Sequence, residues 1–165
     1  MILSRRTGLP AGQRGLTLLE LIIALVILGI LAAAALPMAE LAATRSKELE
    51  LRRSLREIRS AIDDWKTDHD KAVEQKKIIP SINETGYPES LEVLLEGSDW
   101  GGLYPYKRRY LRRIPVDPFD EFEEGWGMRS SKDDPDSTIY GGEDLYDVYS
   151  QSSRLALDGT PYNTW

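Results

Sequence analysis

The stretch RGLTLLELIIALVILGILAAAALP, residues 14–37, decides how the rest of the chain is read. From Leu16 to Leu36 only Thr17 and Glu20 are clearly polar. As a helix rising about 1.5 Å per residue, the run spans roughly 30 Å, enough to cross a bilayer core. Arg5, Arg6 and Arg14 precede it, with no acidic residue among them. A basic flank ahead of an apolar run stays on the cytoplasmic side. A cleavable secretory signal has an apolar core of only about 7–15 residues. It fits poorly here, even though AAAALP offers small residues after the run. Glu20 argues against an ordinary signal anchor as well. An ionised carboxylate in hydrocarbon costs on the order of a few kcal/mol and calls for a partner. No Lys or Arg lies one turn away on its face. Cleavage after Gly15 would create an amine at Leu16. Within one chain that amine is about a turn from Glu20; in a neighbouring chain shifted along the axis it could lie alongside.

Length and composition bound the remainder. The 165 residues allow one modest domain plus an extension. The net charge is −6, and without the three leading arginines the rest is more acidic still. An acidic surface argues against nucleic acid, which is held by Lys and Arg on its phosphates. There is no Cys, so neither a disulfide nor a thiolate metal site or nucleophile exists.

GLTLLE, Gly15 to Glu20, resembles the prepilin-peptidase motif of the type IV pilin superfamily: a glycine, the cut, an apolar residue and a glutamate five residues after the glycine. Most members have Phe where this chain has Leu16. Gly29 and Pro37 also stand where that family has Gly and Pro. The resemblance implies that a cytoplasmic leader, residues 1–15, is removed by prepilin peptidase and that Leu16 is then N-methylated. It further implies that Glu20 neutralises the Leu16 amine of an adjoining subunit, and that Gly29 and Pro37 permit local unwinding. Read physically, Pro37 deletes a backbone donor and is expected to kink or locally melt the helix.

Beyond it, residues 38–77 lack Gly and Pro. Leu51, Leu55, Ile58, Ile62 and Trp65 recur at steps of 4, 3, 4 and 3, one apolar stripe on an amphipathic helix. The intervening charges, Glu48 and Arg59 among them, are expected on a solvated face, with contact between subunits as the alternative. His69, the only histidine, is expected as a solvated helix residue. The helix should end near Lys77, ahead of Pro80.

Residues 78–165 form a small domain rich in turn residues. GYPESLEVLLEG predicts a short helix from Pro88 to Glu96, closed by Gly97. YLRRIPVDPF, 110–119, reads as extended and broken by its prolines; EGWGMRSS, 124–131, and DLYDVYSQ, 144–151, read as strands. Asp117, Asp120, Glu121, Glu123 and Glu124 show no spacing that pairs them for acid–base catalysis, so no catalytic residue is expected. The fold class expected is α+β. A long N-terminal helix, 16–77, with membrane segment 16–36, packs on a small antiparallel-sheet domain, 78–165.

Several of these stretches are similar to one branch of the superfamily, the major (G-type) pseudopilins of type II secretion systems. They are Tyr87-Pro88, Tyr110 to Phe119, Asp147 to Ser150, Asp158-Gly159 and Trp165. The resemblance implies the pilin fold and a non-enzymatic subunit of a pseudopilus that drives protein export. Its partners would be copies of itself, minor pseudopilins, prepilin peptidase and an inner-membrane assembly platform. It would make a single pass through the bacterial inner membrane with the C-terminal domain in the periplasm. The branch binds calcium in its C-terminal loop. That implies Asp158 and Leu155 as ligands here, with Asp147 or Asn163 as substitutes; a further loop aspartate of the branch falls on Pro161. Two alternatives stay open: a type IV or competence pilin for adhesion, motility or DNA uptake, and an uncleaved membrane-anchored periplasmic binding domain.

Overall fold

The computed structural model describes residues 15–81 and 84–165. The leader expected at 1–15 therefore lies, Gly15 apart, outside the described residues. Helix α1 runs Leu18–Glu74, α2 Leu91–Glu96, strand β1 Trp126–Arg129 and β2 Asp147–Ser150, with a 3-10 turn at Tyr162–Thr164. The α+β class expected from the sequence is the one found. The chain divides into two compact units, one up to Ala42 and one from Ala43 to Trp165.

In the second unit the apolar stripe of α1 is the floor of the core. Leu51, Leu55, Ile58 and Ile62 are buried there with Leu94 of α2, Val148 of β2, Leu145, Phe119 and Tyr162. Phe119 and Tyr162 stack with ring centroids 4.0 Å apart. Burying one such aliphatic side chain is worth about 1.5–3 kcal/mol, so the stripe is a principal source of cohesion. The two strands pair antiparallel, Trp126 opposite Ser150 and Arg129 opposite Asp147. They are shorter than the expected 124–131 and 144–151. Gly125, with φ 77°, turns the chain before β1. After β1, Ser130 and Ser131 leave the ladder to donate to the Asp144 carboxylate at 2.7–2.9 Å.

Three other boundaries differ from expectation. The long helix stops at Glu74 rather than near Lys77. Lys77 N donates to Ala72 O at 2.8 Å and Lys76 N to Val73 O at 2.9 Å, with Lys76 at φ 56°. This is the Schellman stop, with a lysine in the left-handed position that glycine usually takes. Helix α2 starts at Leu91 rather than Pro88, because Ser90 is fully extended and forms its N-cap. Residues 110–119 join no strand and are broken by bends at 110, 112 and 113 and a turn at 118–119; Tyr110 N and Leu111 N both donate to Leu94 O at 3.0 and 3.1 Å.

His69 corrects the sequence reading. It is only 5% exposed, edge-on to Trp100 with centroids 5.7 Å apart. Its Nδ1 lies 3.2 Å from Asp70 and its Nε2 3.5 Å from Glu84. It continues the stripe's 4, 3, 4, 3 stepping past Trp65, which is why it faces inward. Gly86, at φ 84°, makes room for it: a Cβ there would stand 2.5 Å from His69 Nδ1.

Candidate processing and assembly segment

The start of α1 is built by Thr17. Its hydroxyl accepts from Glu20 N at 3.2 Å and its carbonyl from Leu21 N at 3.1 Å. Thr17 is thus the N-cap, and it satisfies one of the amides that a helix start leaves open. The T-x-x-E spacing of Thr17 and Glu20 is the sequence signature of such a cap, and it was the signal that identifies Thr17. Gly15 and Leu16 precede the helix as exposed, non-helical residues. The Glu20 carboxylate sits one turn inside the helix, exposed.

The apolar side chains that follow are exposed throughout this unit, from Leu18 at 77% to Leu36 at 68%. The helix is long and apolar enough to cross a membrane, with a mean hydropathy of 2.8 over its most apolar window. An exposed apolar surface of this extent marks a membrane or a protein interface. Gly29 has no atom within 4 Å of where a Cβ would stand, so its small size leaves a notch on the surface. α1 continues as helix through Pro37, so the proline deletes a donor without melting the helix here.

The residues expected as calcium ligands lie in the second unit. Asp147 is held by Arg59 Nε at 2.6 Å and by Arg129 Nη1 at 3.4 Å. Asp158 Oδ1 accepts from Thr160 N at 2.9 Å and from Thr160 Oγ1 at 2.6 Å, and Oδ2 faces Arg52 at 3.7 Å. The Thr160 bonds hold the Asp158 carboxyl below the usual carboxylate range. Leu155 bridges to Pro161, and Asn163 lies in the 3-10 turn. Calcium wants about six to eight oxygens, several of them carboxylate. Among the described residues no group of three or more acidic or histidine side chains converges for a metal ion. The donors present do not fit that ion as they stand.

The loop is instead tied to α1 by direct bonds. Glu48 Oε1, buried, accepts from Leu157 N at 2.7 Å and from the Tyr162 hydroxyl at 3.1 Å. Burial, then that bond to Glu48, pushes the Tyr162 phenol up to about 12. Arg59 donates to Val148 O at 2.9 Å and Trp165 O at 3.2 Å, and Arg52 stacks 4.2 Å over the Trp165 ring. Glu48, expected on a solvated face, is one helical step before Leu51 on the stripe, a position that would have revealed it. Addition of calcium to the full chain in EGTA-treated detergent solution is therefore expected to leave Tm unchanged. Binding at a hundredfold excess over Kd would add about 2.7 kcal/mol and raise Tm by roughly 5–20 °C, which would restore the ligand expectation.

Asp117 and Asp120 serve the backbone. Asp117 Oδ1 accepts from Phe119 N at 2.8 Å. Asp120 accepts from Gly125 N at 2.7 Å, Glu124 N at 3.1 Å and Phe122 N at 3.2 Å. Those amides, Gly125 foremost, hold Asp120 below the usual carboxylate range.

Residues 10–36 match the family described as Prokaryotic N-terminal methylation motif. That motif is typical of type IV pilins and pseudopilins, and the capped start of α1, as far as Leu36, lies within the matched segment. The chain thus carries a pilin-like N-terminal segment of the kind that prepilin processing acts on. No curated protein and no solved structure matches the chain.

Proposed function

We propose that the chain is the main-shaft subunit of a pseudopilus that drives protein export by type II secretion. Prepilin peptidase cuts after Gly15, and Leu16 is N-methylated. The helix from Leu18 anchors the subunit in the inner membrane, with the second unit on the periplasmic side. Subunits then repeat by a heterologous contact that does not close, which generates a helical fibre. The Glu20 carboxylate neutralises the Leu16 amine of an adjoining subunit in desolvated surroundings. An assembly platform extends the fibre, minor pseudopilins accompany it, and the work done is mechanical rather than catalytic.

The observation that carries this reading is the methylation motif at residues 10–36, with Glu20 lying exposed one turn into the apolar helix. The secretion role rests on the resemblance of residues 110–119 and 147–150 to the G-type branch. Intact-mass measurement of the chain purified from a bacterial membrane tests the processing. The expected mass lacks residues 1–15 and carries one added methyl group. A full-length, unmethylated mass would overturn the reading and leave an anchored periplasmic domain.

A further inference from the structure

We propose that successive copies dock by inserting the Phe122 loop of one into the arginine pocket beside Trp165 of the next. The inference rests on the filament reading above, and specifies the contact made outside the membrane.

The first half of the contact is the loop around Phe122. Phe122 is 81% exposed. Asp120 fixes the loop beneath it through the three backbone bonds already described. A large apolar ring is therefore held out in solvent by a pre-ordered loop. Glu121, Glu123 and Glu124 flank it, all exposed. Only Glu121 is paired among the described residues, with Arg154 at 2.8 Å.

The second half lies on α1. Arg52, Leu55, Arg56, Arg59 and Trp165 line a cavity of about 260 Å³. Leu55 and the Trp165 ring give it an apolar floor, and no carboxylate lines it. Arg59 is committed to Asp147 and Arg52 lies 3.7 Å from Asp158, whereas Arg56 makes no ion pair among the described residues. An aromatic ring ringed by carboxylates fits an apolar floor ringed by guanidinium groups. Complementarity of this kind fixes register and partner choice.

One chain cannot join its own two halves, since Phe122 stands in solvent. Their heights along α1 differ as well. Lys47 Nζ lies 5.9 Å from the Phe119 ring centroid, which places the acidic loop level with that part of the helix. Arg52 and Arg56 lie five to nine residues further on, roughly 8–14 Å along the axis. A second copy displaced by that amount brings loop to pocket, and its own pocket is left for a third. That is a heterologous repeat, and it builds a fibre rather than a closed dimer.

The chain has no Cys, so introduced thiols report cleanly. The full-length chain carrying Phe122→Cys together with Arg56→Cys is oxidised in bacterial membranes. A ladder of disulfide-linked multimers is expected, with each single variant giving nothing beyond a dimer. A second pair, Glu123→Cys with Arg52→Cys, keeps the Phe122 ring in place and is expected to give the same ladder. Fibres sheared from cells making the wild-type chain provide an independent readout of assembly. Wild-type fibres without a ladder from either pair would overturn this docking and leave the filament reading standing. Absence of both fibres and ladders would overturn the two together.

Discussion

Replacing Asp68 with alanine is expected to cost the second unit about 3 kcal/mol, a large share of the roughly 5–15 kcal/mol that holds a typical domain folded. The Asp68 carboxylate is fully buried on α1. It accepts from the Tyr104 hydroxyl at 2.9 Å, the Tyr110 hydroxyl at 2.7 Å and Arg108 Nη1 at 2.5 Å. Tyr110 in turn accepts from Trp100 Nε1 at 2.7 Å, and burial first of all raises the Tyr110 phenol well above its ordinary range. Removing the acceptor strands both hydroxyls, each worth about 1–3 kcal/mol when left unmet. Arg108 is 35% exposed and can turn to water, which keeps the total below that for a wholly buried pair. Urea unfolding of the detergent-solubilised chain, followed by tryptophan fluorescence, should show a midpoint lower by about 1–2 M. Glu143→Ala is the control. Glu143 meets Lys132 across the exposed surface, and its loss should cost no more than about 0.5 kcal/mol. Equal midpoint shifts for the two variants would refute the assignment of Asp68 as the buried acceptor.

Glu20→Ala is expected to abolish fibres while leaving leader removal intact. The wild-type carboxylate is exposed on an apolar helix, and in the filament proposed above its partner is the Leu16 amine of another copy. Breaking a desolvated ion pair by deleting one member costs about 3–5 kcal/mol, and every 1.4 kcal/mol is tenfold in affinity. Each subunit addition should weaken by roughly 10²–10³-fold. The measurement combines fibre yield from sheared cells with intact mass. The variant should keep the processed mass and yield no fibres; wild-type yield from Glu20→Ala would refute the charge pairing.

The helical half of the fold was legible in the sequence because one period, 3.6 residues, runs through it without Gly or Pro after Pro37. The strands were legible in place but not in length, since their ends are set by side chains that reach across the chain, such as Asp144 to Ser130 and Ser131. Glu48 and His69 were read as solvated because their residue types are usually exposed. Both lie on the extended apolar stripe, where position outweighs type, and Asp68 is buried by tyrosines 36 and 42 residues away that no local pattern announces. The sequence marks Asp147 and Asp158 as anions, while the arginines beside them, Arg59, Arg129 and Arg52, come from distant parts of the chain. The methylation motif is local, matched within residues 10–36, and it was the resemblance to the family's motif that singled out Gly15, Leu16 and Glu20.

The strongest polar ties between α1 and the rest of the second unit include Glu48, Arg59 and Asp68, spread over twenty residues or roughly 30 Å of helix. A pull directed along α1 would load all three in shear at once, with no end from which they could peel in turn. Resistance to such a pull is governed by how slowly the unit opens rather than by its equilibrium stability. In the filament proposed above, where a subunit would be pushed and drawn by its own helix, side-by-side riveting would supply this property without a disulfide.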